Sequence, residues 1–176
     1  MPRATRVMKA LTVLAGVAAM SGFGFASGAS AQADTDARWV TAWGTSQQSL
    51  GPTMITNATV RMIARVTVAG ESVRVRLDNT FGQAPLIIGE AYIGPVMRRA
   101  ALTPGSNNQV RFGSSSSVTI PAGGTVESDP IEMDVMARQD LAVSLYIPEA
   151  SVQPSQHGQA YVTSYLSDNG SGNVAR

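Results

Sequence analysis

The chain has 176 residues, no cysteine and a formal net charge of +1. Arg3, Arg6 and Lys9 are three of its thirteen basic residues; beyond them ten arginines face twelve acids, about −2. A weakly acidic domain without a basic stripe argues against nucleic-acid and anionic-membrane partners, and with no cysteine a disulfide scaffold is excluded.

In chain order, the first element predicted is a processing segment rather than part of the fold. The three basic residues precede an apolar run from Ala10 to Met20, and Ala31-Gln32-Ala33 fits the small-x-small cleavage rule. Gly22, Gly24, Ser27 and Gly28 interrupt the run, leaving it shorter than the roughly 20 residues a spanning helix needs. Residues 1–33 are therefore expected to be a cleaved signal peptide, with the mature chain secreted or periplasmic and no longer membrane-bound. The remainder is one domain of ordinary size.

Period two dominates the mature chain and helical periodicity is nearly absent. Thr59 to Val68 is rich in β-branched residues, with Arg61 and Arg65 interrupting it. After Ala69-Gly70-Glu71, Val73, Val75 and Leu77 alternate with Arg74, Arg76 and Asp78, as in a strand with one dry and one wet face. These two runs read as a β-hairpin. Further strands are expected at 86–93, 109–112, 118–120, 125–128, 131–135, 141–147 and 160–166, separated by Gly, Pro, Asn and Ser. In the run 141–147, Leu141, Val143, Leu145 and Ile147 share one face and Ala142, Ser144 and Tyr146 the other. The predicted fold is all-β, an antiparallel β-sandwich of jelly-roll-like type over residues 34–167. Residues 168–176, rich in Gly, Ser and Asn, read as a tail or linker.

No residue set on this chain reads as catalytic. His157 is the only histidine, in the polar loop Gln153-Pro-Ser-Gln-His-Gly158, and a Ser-His-Asp triad would have to use it. No serine sits in a strand–turn–helix elbow; Ser46 is the nearest approach. A loop histidine that is solvated, or that contacts a neighbouring domain, fits His157 better. Glu132 and Asp134 share a strand face expected to meet water, no calcium loop is present, and zinc lacks ligands, so no metal or cofactor is expected. At least one of Trp39 and Trp43 is expected to plug the end of the sandwich, with a stacking platform for sugar rings as the alternative. Turn chemistry accounts for Asp78-Asn79-Thr80-Phe81-Gly82, with a binding role for Asn79 as the alternative. The candidate binding residues are thus Trp43, Asn79 and His157.

Several blocks in order resemble the N-terminal part of secreted bacterial SGNH/GDSL-type hydrolases. They are Trp39-Val-Thr-Ala-Trp-Gly-Thr-Ser46, Thr59-Val-Arg-Met-Ile63, and Arg74-Val-Arg-Leu-Asp-Asn-Thr-Phe-Gly82 with Pro85-Leu86. Val118 to Gly123, Ser128-Asp-Pro130, Asp140 to Pro148 and His157 to Tyr165 continue the match. The resemblance implies a β-sandwich followed by a flavodoxin-like α/β domain that hydrolyses esters through a Gly-Asp-Ser block and a late Asp-x-x-His. Neither block can be placed here, so no catalytic residue carries over. The expectation is a non-catalytic accessory module of a secreted esterase or lipase, truncated or separately encoded. Its expected partner is an SGNH-type α/β domain; the alternative is a free-standing carbohydrate-binding sandwich whose partner is glycan.

Overall fold

A computed structural model describes residues 38–159 and 161–176. The expected signal peptide lies outside the described residues. Within them the chain forms fourteen strands and no helix, as the period-two pattern requires.

The longest ladder is central. Strand β12 (Asp140–Ile147) pairs antiparallel along its whole length with β2 (Ala58–Arg65), from Asp140 opposite Arg65 to Ile147 opposite Ala58. Its other edge pairs with β6 (Glu90–Arg98), Leu145 facing Ala91. Beyond β2 lies β14 (Tyr165–Leu166), and beyond β6 lie β7 (Ala101–Leu102) and β8 (Asn108–Val110), completing a six-stranded sheet. A second layer consists of β3 (Gly70–Val73) with β11 (Ile131–Val135), β4 (Arg76–Asp78) with β10 (Thr125–Glu127), and β5 (Leu86–Ile88) with β9 (Val118–Ile120). Short β1 (Ser49–Leu50) and β13 (Ser155–Gln156) pair separately. Every pairing is antiparallel.

The core gathers one face from each layer. Leu141, Leu145 and Ile147 of β12 meet Leu77, Ile88, Ile120, Ile131 and Met133, all buried. The wet face of β11 carries Glu132 and Asp134, as the alternation predicts. Between β10 and β11 the ladder with β4 and β3 is broken at Ser128-Asp129-Pro130, where Pro130 has no N–H to give. Ser128 repairs the break. Its hydroxyl accepts the Val75 N–H at 2.9 Å, and its own N–H donates to the Val75 carbonyl at 2.9 Å.

The expected hairpin between residues 59–68 and 72–77 does not form. Both edges of β2 are taken by β12 and β14, and β3 pairs with β11 instead. A tight turn there would need positive φ, and Gly70 is instead the extended first residue of β3. The chain crosses between layers at this point. Val66 stays with the large sheet through the Arg138 N–H (2.7 Å), while Thr67 donates to the Ala42 carbonyl (2.9 Å).

The outer face of the large sheet is covered as well. Ala142 and Ser144, on the face of β12 away from the core, are fully buried. Ser144 is capped by Arg61, whose Nε donates to its hydroxyl, and Asn107 lies over Gly94, the cross-strand partner of Ala142. The stretch expected to be a linker folds back along the start of β2. After β14, Ser167 donates to the Thr59 carbonyl (3.0 Å), Gly170 to Thr56 (2.8 Å) and Gly172 to Asn57 (2.9 Å). Gly170 and Gly172 take φ of 84° and 74°, a left-handed backbone that side chains resist, which lets the tail turn back over the sheet. Asn107 then donates to the Ala175 carbonyl, and Arg176 pairs with Glu90 at 3.1 Å.

Candidate functional site

Residues 38–48 form no strand and run as a strap joining the second layer to the β1–β13 pair. At one end the guanidinium of Arg74 lies 4.2 Å from the ring centroid of Trp39 while also pairing with Glu127 at 2.9 Å. In the middle, the Ala42 carbonyl accepts both the N–H and the hydroxyl of Thr67. At the other end, Gln48 accepts the Gly158 N–H through its side chain and donates its own N–H to Gln156.

Two of the three candidate binding residues belong to this strap and its contact loop. Trp43 is 45% exposed and Trp39 43% exposed, so neither plugs the end of the sandwich. That corrects the packing expectation. The core is closed by aliphatic side chains and Phe112, and Trp39 is held from outside by the stacked arginine. His157 sits 2.7 Å from the strap through Nδ1 and the carbonyl oxygen of Ser46. A carbonyl only accepts, so Nδ1 carries the proton in this contact. The contact uses the Ser46 backbone rather than its hydroxyl, so this ring does not activate Ser46 as a nucleophile.

Asn79 lies elsewhere, in the loop after β4. Its side chain is buried, and its amide donates to the carbonyls of Ala84, Ile120 and Pro121 at 3.0–3.2 Å. Its backbone carbonyl accepts from Gly82 and Gly123. The residue is fully engaged in tying the β4–β5 loop to the end of β9.

Asp129 performs a similar task from the surface, accepting the Ser114 and Gly113 N–H groups at 2.8 and 3.0 Å. These bonds, Ser114 foremost, hold its carboxyl below the usual range. Among the described residues no three His, Asp or Glu side chains converge as a metal site would need. A concavity of about 590 Å3 is an open groove at the β6–β7 turn lined by Met97 to Ala101, away from all three candidates.

The residue that the sequence signals but that was not taken as a site is Arg61. It interrupts a β-branched run on the outer face of β2, opposite Ser144. Its Nε donates to the Ser144 hydroxyl at 2.7 Å and Nη1 to the Ala100 carbonyl at 2.6 Å. Burial pushes its pKa down, with no acid offsetting the effect.

Comparison with protein-family models and with curated proteins returns no match. The resemblance to SGNH/GDSL hydrolases therefore rests on the blocks quoted above.

Proposed function

We propose that this chain is the non-catalytic β-sandwich module of a secreted SGNH/GDSL-type esterase or lipase. The supporting observation is where the quoted blocks fall. Arg74 to Gly82 contributes β4 and the Asn79 loop; Ser128-Asp129-Pro130 is the repaired ladder break; Asp140 to Pro148 includes the central strand. They are the joints of a scaffold. A module that docks on a catalytic domain also needs an apolar face, and Tyr161, Val162, Leu166 and Val174 are exposed around β14 and the tail, Tyr161 at 94%.

The test is co-expression with an α/β domain carrying a Gly-Asp-Ser block, followed by size-exclusion chromatography with light scattering. A complex that Leu166→Asp weakens is the expected result, with no hydrolysis of p-nitrophenyl butyrate by this chain above a His157→Ala control. A clean monomer that ignores the domain counts against the reading.

The exposure of both tryptophans favours a second reading, a carbohydrate-binding sandwich that uses the strap as its platform. Millimolar or tighter glycan binding, lost in Trp43→Ala without loss of fold, would select it. Glycan binding that persists in Trp43→Ala would reject the platform.

A further inference from the structure

We propose that the outer face of the large sheet carries a carboxylate-binding pocket centred on Arg61, sized for a short aliphatic acid. The pocket has a volume of about 210 Å3 and is lined by Thr59, Arg61, Ala100, Tyr165, Leu166 and Val174, together with Ser167. It does not depend on the esterase reading.

A guanidinium has five N–H donors, and three of those on Arg61 are in use: Nε on Ser144, one on Ala100, and one on Ala175 at a long 3.4 Å. All three acceptors are neutral. Among the described residues no carboxylate lies within ion-pair distance of it; Glu90, the acid nearest the tail's end, is engaged by Arg176 and Asn173. A half-buried cation with only neutral partners is under-compensated. Two N–H donors and the weak third are left for a ligand, and a carboxylate is the group whose two oxygens match that fork.

The walls select the rest of the ligand. The hydroxyls of Thr59 and Ser167 already serve the tail, accepting the Val174 and Thr59 N–H groups. The phenol of Tyr165 makes no hydrogen bond among the described residues, so it is free to donate to a bound oxygen. Ala100, Leu166 and Val174 supply apolar surface for a short alkyl chain. One cation, one phenol and a small apolar wall define a carboxylate with a few carbons rather than a phosphate or a sugar.

The experiment titrates the full chain by calorimetry and amide NMR with sodium butyrate, at ionic strength matched by chloride. A second titration uses a blocked peptide with one glutamate. For a ligand of this size a Kd of about 1 mM is expected, with shifts at Ala100, Tyr165 and Val174. Response to butyrate alone assigns a free acid; response to the peptide alone assigns an acidic side chain of a partner protein. Either supports the pocket. Arg61→Lys, which keeps the charge and loses the fork, should weaken binding at least about tenfold. Because Arg61 also holds Ala100 and Ser144, the decisive variant is Val174→Trp, which fills the cavity and leaves those bonds in place. It should abolish binding without lowering Tm. No response to either titrant, or butyrate bound as tightly by Val174→Trp as by the parent, overturns the proposal.

Discussion

The amide of Asn79 offers two N–H groups to three backbone carbonyls, so at least one of them is shared. Replacing it with alanine removes the donor from the buried Ile120 oxygen and from the part-buried Ala84 and Pro121 oxygens. Each unsatisfied buried group costs about 1–3 kcal/mol. Asn79→Ala should therefore lower stability by roughly 2–4 kcal/mol, read as a shift in the urea midpoint at unchanged slope. Asn79→Asp should be no better, because it sets acceptors against acceptors. A change within about 0.5 kcal/mol, as at ordinary surface sites, would mean that the loop is not held by this side chain. The sequence shows why an Asx residue belongs in this turn. It does not show burial, because the partners at Ile120 and Pro121 lie 41 and 42 residues further along the chain. The tryptophans misled for the opposite reason. Large apolar rings are usually dry, but here a cation stacks on one and the strap keeps both at the surface.

At the scale of elements, three carboxylates tie neighbouring segments together. Arg176 and then Asn173 lower the pKa of Glu90, which anchors the end of the tail. Arg65 does the same to Asp140 at the start of β12, and the Ser114 and Gly113 N–H groups do it to Asp129. Each folded pKa lies below its unfolded value. Their contribution is thus complete above the unfolded carboxylate range, near pH 4, and is lost as pH falls through the folded values. Protection of the Val174 and Ala175 amides from exchange, relative to the intrinsic rate at each pH, should fall on acidification below that range, and Glu90→Gln should show the lower protection already at neutral pH. Protection unaffected by both would mean that the Arg176 pair does not hold the tail. Strand alternation was legible at residues 73–77 and 131–135, where one face is dry and the other wet. At β12 the pattern located the core face, but not the burial of Ala142 and Ser144, because their neighbours on that face, Asn107 over Gly94 and Arg61 on Ser144, are not visible in local alternation. Arg61 was visible only as an interruption. Its neighbours Ala100 and Ala175 are 39 and 114 residues away in sequence.

For the whole molecule the connectivity sets how the chain must fold. The hairpin that local sequence favours is absent, and β2 instead pairs with β12, Arg65 opposite Asp140 and Ala58 opposite Ile147. The partner of β12 on its other side is β6, and β14 reaches β2 only after the rest of the domain has been made. Few native contacts are therefore local, and the loop-closure entropy of each long connection must be met before the ladder that offsets it exists. Refolding from urea, followed by stopped-flow circular dichroism, should fall in the millisecond-to-second range of non-local β folds. For the same reason no N-terminal fragment ending before residue 140 should fold, since it would hold β2 and β6 without the strand that joins them. A fragment of residues 34–136 with a cooperative urea transition, or a full chain that refolds in microseconds, would show that the β2–β12 ladder is not what organises this domain.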